Sequence, residues 1–200
     1  MVYNSFVLKI VGAPNPVLSQ SAKIISKVDT KILKLIGEMS QTLLSAKDPV
    51  GVGLAASQVG RCLQIFITKP TAKSPIQVFI NPKIIQKTKV SHLTIDSGRC
   101  MQLNDFSSEK SQGNKLEGCL SLPSIWGHVK RESEISISYL DQKGASHTKQ
   151  FKGFLSTIIQ HEMDHLNGIL FPKRVLEQKG QLYKSQKNEK DEDVFEEIDI

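Results

Sequence analysis

Apolar residues recur every three or four positions in two long stretches of the chain, and this spacing predicts two helices. The first begins at Asp29 or Thr30, either of which can cap it, and its unbroken apolar stripe ends before Pro49. We interpret it as an N-terminal amphipathic helix with a packing role. The second helix covers about 154–167 and carries two apolar stripes, so we expect it to be buried on more than one side.

Other segments have the composition or the period of strands. Residues 63–68 and 77–80 are rich in Ile, Phe and Val, and residues 135–139 alternate between apolar and polar side chains. A turn at 141–144 predicts a hairpin that returns through 147–151, and 7–11 reads as a short strand or an extended arm. The pattern as a whole predicts an α+β fold, in which antiparallel strands pack around the second helix.

Length and charge suggest one domain with a tail. A chain of 200 residues with 39% hydrophobic content suits a single domain, which we place at 1–176. Residues 177–200 are charged and acidic, and we predict that they are disordered or loosely docked. Residues 87–115 are polar and predict a long surface loop, with a short strand at 90–95.

Composition narrows the environment and the partners. No apolar run approaches the ~20 residues that span a bilayer, and no signal peptide is recognisable. Three cysteines do not make a disulfide framework, so we expect a reducing, cytoplasmic location and no membrane partner. The net charge of +6 combines an acidic end with a basic body. Such a body favours RNA or a ribosome surface, but a solvated lysine-rich surface explains it equally well.

The segment 51–60 is unusually rich in small residues, which allow a backbone to approach a ligand or another segment closely. It contains neither a Gly-Lys-Ser/Thr motif nor GxGxxG, so we reject nucleotide binding. Gln58 is its only strongly polar side chain. A glutamine hydrogen-bonded under a tight turn is the alternative explanation for it.

The second predicted helix contains an HExxH motif, with His161 and His165 four residues apart. Residues at this spacing lie one above the other on a helix face, so both imidazoles can reach one metal ion. Glu162 lies beside them, where a carboxylate suits the general base that deprotonates a metal-bound water. The alternative is a core helix with two hydrogen-bonded histidines, because HExxH alone also occurs by chance.

A catalytic metal usually has three protein ligands and one open position. Downstream of His165 there is no further histidine, and the acidic residues cluster in the tail. Cys119, in an apolar turn upstream, is the best remaining candidate for the third ligand. A thiolate with two neutral imidazoles leaves a divalent ion with a net charge of +1, which still acidifies a bound water.

Three segments of this chain, 51–58, 117–121 and 160–165, resemble the three signature motifs of peptide deformylases, in the family's order. Shorter segments at 81–83, 129–131 and 165–168 resemble further family positions. The likeness extends from about residue 7 to residue 175. Three motifs in order are far more specific than HExxH alone.

The resemblance implies a metal-dependent hydrolase that removes the formyl group from the N-terminal formyl-methionine of new polypeptides and releases formate. Cys119, His161 and His165 would bind one divalent metal, usually Fe(II) in the family, with Zn, Ni or Co able to substitute. Glu162 would be the general base. Gln58 and the backbone N–H of Leu120 would donate hydrogen bonds to the oxygen of the tetrahedral intermediate.

The resemblance also implies how a peptide is held. Gly53 and its neighbours would pair with the substrate backbone, and Val52, Leu155 and Ile158 are candidate walls of a methionine pocket. The implied partners are N-formyl-methionyl peptides of nascent chains, with a transient ribosome contact.

Three other functions compete with this interpretation. A metallopeptidase is disfavoured because protein-cleaving HExxH enzymes generally lack the Cys119 ligand and the Gln58 segment. A silent binding protein on the same fold would be expected to have lost Glu162, Gln58 or a ligand. Specific nucleic-acid binding is disfavoured because no aromatic stacking platform or known motif is present.

Overall fold

The computed structural model describes residues 6–47, 49–88, 116–188 and 192–199. These residues contain three α-helices and nine strands. The helices are α1 (Thr30–Ser45), α2 (Gly153–Leu166) and α3 (Phe171–Glu177). The strands are β1 (Gly53–Ala55), β2 (Ile65–Thr68), β3 (Gln77–Thr88), β4 (Leu116–Cys119), β5 (Leu122–His128), β6 (Glu134–Leu140), β7 (Ser146–Lys152), β8 (Leu182–Lys187) and β9 (Asp193–Ile198).

The strands form two sheets. One has five strands in the order β1-β2-β3-β6-β7, and the other has four in the order β4-β5-β8-β9. Every pairing between these strands is antiparallel, so the predicted mixed fold with antiparallel strands is confirmed. None of the helices in the described ranges is long and apolar enough to cross a membrane.

Helix α1 covers one face of the five-stranded sheet. The Asp29 side chain caps it by accepting a hydrogen bond from the Ile32 N–H at 2.9 Å. The helix ends at Ser45, ahead of Pro49. Its buried face packs with the strand residues of a first core cluster: Leu35, Ile36, Met39 and Leu43 against Leu54, Ile65, Ile67 and Ile80.

Helix α2 covers the other face of the same sheet. Strand β2 is buried throughout, and its side chains alternate: Ile65 and Ile67 belong to the α1 cluster and Phe66 to the α2 cluster. The α2 cluster contains Ile159 and Leu166 together with Phe66, Phe79, Ile135, Ile137, Tyr139 and Phe151. The helix is therefore fixed by a broad apolar contact, which gives its polar residues defined positions.

Strand β3 is longer than the sequence pattern predicts, because it continues beyond residue 80 to Thr88. Its pairing with β6 shifts register between Ile80 and Lys83 and again between Ile84 and Gln86. Asn81 has a φ of +48° at the first shift. These bulges interrupt the alternation of apolar residues and hide the strand from a period-two search. The rest of the predicted loop at 87–115, with its strand at 90–95, lies outside the described residues.

The prediction of a disordered tail at 177–200 is wrong for two segments, because β8 and β9 form a hairpin that pairs with β5. The hairpin is anchored by aromatic contact: the rings of Trp126 and Phe195 lie 5.9 Å apart, edge to face. Opposite charges also face each other across the strands, as at Lys184 and Glu196. The charge count alone predicted a solvated tail, whereas Asp193 and Glu196 of β9 stand opposite Lys187 and Lys184 of β8.

Candidate metal centre and active site

Three potential metal ligands converge at one buried point. The donor atoms of Cys119, His161 and His165 all lie within 4.8 Å of one another. Cys119 ends strand β4, and its Sγ is 3.2 Å from Nε2 of His165. The two histidines stand one turn apart on α2 with ring centroids 5.0 Å apart. Helix α2 thus supplies both imidazoles from one face, and the four-stranded sheet supplies the thiol.

The surroundings of Cys119 favour its ionised form. Burial alone would raise the pKa of Cys119, but the neighbouring imidazoles of His165 and His161 lower that pKa well below its ordinary value. The thiolate is the form of cysteine that binds metals. Burial opposes a rise in the pKa of His161, but hydrogen bonds with Cys119 and Glu117 raise that pKa well above its ordinary value, so a metal ion would displace a proton from this imidazole. Oε2 of Glu117 accepts a hydrogen bond from Nδ1 of His161 at 3.1 Å, which leaves Nε2 to face the metal position. A Cys-His-His set with these orientations fits a divalent ion with one open position.

Glu162 lies beside these ligands and is 3% exposed. Its Oε2 has no hydrogen-bond partner in the described part of the chain. Burial raises the pKa of Glu162 to about 7, although the charges of His161 and His165 oppose the rise. A carboxyl group that titrates near neutrality can both accept and return a proton at physiological pH.

Gln58 is held in one orientation by three contacts. It lies in a short 3-10 helix, Ala56–Val59, directly after β1. Its Oε1 accepts a hydrogen bond from the Ala55 N–H at 2.9 Å. Its Nε2 points at the cluster, 3.4 Å from Cys119 Sγ and 3.3 Å from Ser121 Oγ. The amide N–H groups are therefore directed at the thiol end of the site.

The residues 7–25, which we call the N-terminal segment, connect the three parts of the site. The Val11 N–H donates to the carbonyl of Gln58 at 2.8 Å, and the Ala13 N–H donates to that of Ser121 at 3.0 Å. Further along, the Ala22 N–H donates to the carbonyl of Leu166 at 2.8 Å, at the end of α2. The predicted arm at 7–11 is thus an extended segment rather than a strand.

Two sheet edges lie at the site. Within the described ranges, β1 is an edge strand of the five-stranded sheet and β4 is an edge strand of the four-stranded sheet. Gly53 begins β1 next to Glu162, and Cys119 ends β4. Unpaired edge strands offer backbone donors and acceptors to an extended peptide.

The comparisons with known proteins agree with this geometry. The family described as polypeptide deformylase matches residues 7–181. The chain belongs to the polypeptide deformylase family. Its curated relatives and structural neighbours are peptide deformylases, which makes it a hydrolase.

Individual deformylases match most of the chain. A peptide deformylase of Agrobacterium fabrum is 37% identical over 165 residues, which are 81% of this chain and 83% of the relative. The deformylase of Desulfotalea psychrophila is 33% identical over 182 residues, covering 89% of this chain and 93% of the relative. The crystal structure of a peptide deformylase from Synechococcus elongatus in complex with actinonin has a TM-score of 0.68 and 32% identity, with coverage of 87% of this chain and 83% of that chain.

In this deformylase, the structure brings together five of the residues singled out from the sequence: Gln58, Cys119, His161, Glu162 and His165. Leu120 lies in the two-residue turn between β4 and β5, directly after Cys119. Ile158 is buried one turn before His161 and lies within about 20° of His165 around the helix. Leu155 packs instead against the α2 cluster.

The sequence analysis missed two groups that contact His161. Glu117 was predicted only as part of a motif, yet its carboxylate accepts a hydrogen bond from Nδ1 of His161. Its position two residues before Cys119 on one strand places both side chains on the same face, which is a signal that could have found it. Phe171, at the start of α3, stacks on the His161 ring with centroids 6.1 Å apart, and no local pattern predicts that contact.

Gly53 is predicted to be intolerant of a side chain, because a Cβ there would lie 2.8 Å from Cδ of Glu162 and closer still to Oε1. The Gly53→Ala variant must move the Glu162 carboxyl group, so we expect roughly a 10- to 100-fold fall in kcat for the family's reaction. Bound metal should be retained, and both quantities are measured on one sample. Gly12→Ala is the matched control, since its Cβ would make an ordinary 3.7 Å contact. A Gly53→Ala enzyme with normal kcat would contradict the close packing of Glu162.

Proposed function

We propose that this chain removes the formyl group from the N-terminal formyl-methionine of newly made polypeptides, with one divalent metal held by Cys119, His161 and His165. Family membership supports the reaction. The observation that carries the metal dependence and the site assignment is the convergence of a thiol, two imidazoles, a buried carboxyl and a fixed amide at one point.

The three ligands would hold the metal through Sγ of Cys119 and one nitrogen of each imidazole. When bound, the ion supplies Lewis acidity, which polarises a carbonyl oxygen and lowers the pKa of water. Ligand type alone does not select among first-row metals, because affinity rises from Fe(II) towards Ni(II) whichever metal the protein uses. We propose Fe(II) in the cell, with Zn, Ni and Co as functional replacements.

Glu162 acts as the proton carrier. Its carboxylate accepts a proton from the attacking water as the oxygen adds to the formyl carbon. The same carboxyl then delivers the proton to the nitrogen of the departing peptide, so that the C–N bond breaks and formate and a free amine form. A pKa of about 7 and the absence of a competing hydrogen bond to Oε2 among the described residues support this role.

Gln58 and Leu120 stabilise the developing negative charge. The Nε2 group of Gln58 already points into the site and needs no reorganisation to donate a hydrogen bond. The backbone N–H of Leu120 comes from the turn that follows Cys119. Donors fixed in advance at the position of an oxyanion lower the barrier more than donors that must turn towards it.

The peptide is held by the backbone and by apolar walls. Gly53, which begins the edge strand β1, pairs with the substrate backbone as an added strand. Val52, Leu155 and Ile158 enclose the methionine side chain. Ile158 is the best supported wall, since it shares a helix face with His165. Leu155 packs against the α2 cluster, so we place it only at the margin of the pocket.

The proposed setting is the cytoplasm, where formyl-methionyl nascent chains leave the ribosome. A transient ribosome contact would use the basic body of the chain. The whole chain, with its acidic end included, has 26 Lys and Arg against 20 Asp and Glu. The proposal includes no membrane partner and no specific nucleic acid.

The test is formate release from a formyl-methionyl tripeptide by protein purified without oxygen, with bound metal measured on the same sample. We expect release that stops with a chelator and returns with Fe(II) or Ni(II). The same formyl-methionyl peptide with a label at an internal amide bond distinguishes a metallopeptidase, because such an enzyme would cut that bond instead of releasing formate. No formate from a folded, fully metallated sample would reject the proposal in favour of a silent binding protein.

A further inference from the structure

A buried network of ions lies behind the ligands, and the proposed reaction does not use it. Arg131 follows strand β5 and is 8% exposed at its side chain. It donates to both carboxylate oxygens of Glu117, from Nε at 2.8 Å and from Nη2 at 2.9 Å. Its Nη1 donates to Oδ2 of Asp164 at 2.6 Å. We call Glu117, Arg131 and Asp164 the Arg131 bridge.

The bridge joins the two elements that carry the ligands. Glu117 lies on β4, two residues before Cys119, and β4 belongs to the four-stranded sheet. Asp164 lies on α2 between His161 and His165, and α2 packs on the five-stranded sheet. One guanidinium group therefore spans the boundary across which the thiol and the imidazoles meet.

Both ends of the bridge are fixed by further contacts. Glu117 also accepts a hydrogen bond from Nδ1 of His161 at 3.1 Å. Asp164 is held from its other side by Arg174 of α3, whose Nη2 donates to Oδ1 at 2.7 Å. Arg174 is more accessible, with 31% of its side chain exposed. The charges alternate from Glu117 through Arg131 and Asp164 to Arg174, which also pairs with Glu177 at 2.9 Å.

A role in stability alone does not account for this arrangement. Burying ions is costly, and replacing a buried ion pair with apolar residues is often neutral or stabilising. The two hydrogen bonds from Arg131 do fix the orientation of the Glu117 carboxylate, because the guanidinium is planar and matches both carboxylate oxygens. A carboxylate fixed in this way fixes the imidazole that donates to it.

We propose that Arg131 is a positioning residue of the metal centre, which acts through Glu117 on the orientation of His161 and through Asp164 on the distance between α2 and Cys119. This inference rests on the proposed metal site. Its tests therefore measure metal binding, which does not depend on whether formate is released.

The first experiment measures the affinity for Co(II), by competition with a chelator, and the visible absorption spectrum of the Co(II) protein. Arg131→Met should weaken Co(II) binding roughly 10- to 100-fold and change the spectrum, since loss of an outer contact of this kind disturbs ligand geometry. Arg131→Lys, which keeps the charge but not the planar fork, should also change the spectrum, with a smaller loss of affinity. Lys152→Met is the control, because its ion pair with Glu134 at 3.1 Å is exposed on the lysine side.

A double variant tests the route. If Arg131 acts in part through Glu117, the losses of Co(II) affinity in Arg131→Met and Glu117→Gln should not add in full when the two changes are combined, because both remove the same contact. Losses that simply add would refute that route. Folding of each variant is checked by circular dichroism, and Arg131→Lys supplies the decisive comparison should Arg131→Met not fold.

A folded Arg131→Met or Arg131→Lys protein with wild-type Co(II) affinity and spectrum would overturn the inference. That result is distinguishable from failure of the proposed function. A wild-type protein that binds Co(II) and releases no formate would reject the reaction, yet the effect of Arg131 on metal binding would still be measured.

Discussion

The Glu162→Gln variant is expected to release formate about 10²- to 10⁴-fold more slowly in kcat while its metal content stays unchanged. Glutamine keeps the volume of the side chain in its buried place against Gly53 but cannot accept a proton. Glu162 is no ligand in the proposed set, so its loss removes the proton carrier and leaves the three donor atoms in position. The measurements are steady-state kinetics on a formyl-methionyl tripeptide and metal analysis of the same preparation.

The matched control is Glu134→Gln, which changes a carboxylate of β6 that pairs with Lys152 outside the site. It should leave kcat within about twofold, as surface substitutions usually have small effects. A fully metallated Glu162→Gln enzyme with normal kcat would remove Glu162 from the mechanism. A variant that has lost its metal would instead assign Glu162 to the structure of the centre.

Cys119→Ser should abolish most of the activity by a different route, because it removes a ligand. A serine hydroxyl does not ionise at neutral pH, so the two imidazoles would be left without the anionic donor. We expect metal affinity to fall by about 100-fold or more, beyond the loss that outer contacts of a metal site usually cause. Titration with Co(II) or Zn(II) and the rate of formate release check the two consequences together.

Cys62 offers the internal comparison for that experiment. It is the other free cysteine of the described part of the chain, and its Sγ donates to the carbonyl of Ser21 at 3.2 Å. Cys62→Ser should keep both metal and activity. Cys119→Ser with full metal content and normal turnover would exclude Cys119 from the site.

The sequence predicted those parts of the site that follow from a local period. His161, Glu162 and His165 share one helix, whose 3.6-residue turn places them without any knowledge of the fold. Cys119 could be proposed only by elimination, since nothing near it in the chain points to metal binding. The resemblance to deformylases then joined segments that periodicity could not place together.

The parts that could not be predicted are contacts between distant segments. Arg131 meets Asp164 only because the four-stranded sheet stands against α2, and no spacing along the chain encodes that approach. The strands β8 and β9 were missed for a related reason: both lysines of β8 stand opposite acidic residues of β9, and a count along the chain cannot detect such pairing. The extension of β3 was hidden by its bulges.

The N-terminal segment has a consequence for how the protein is made. Its backbone hydrogen bonds join Val11 to Gln58, Ala13 to Ser121 and Ala22 to Leu166, and each successive partner lies further along the chain. Contacts of such wide separation slow folding, because the intervening chain must be closed into a loop first. During synthesis, the hydrogen bond of Ala22 can therefore form only after Leu166, at the end of α2, has left the ribosome. A nascent deformylase of this architecture gains its catalytic centre only after α2 has been synthesised.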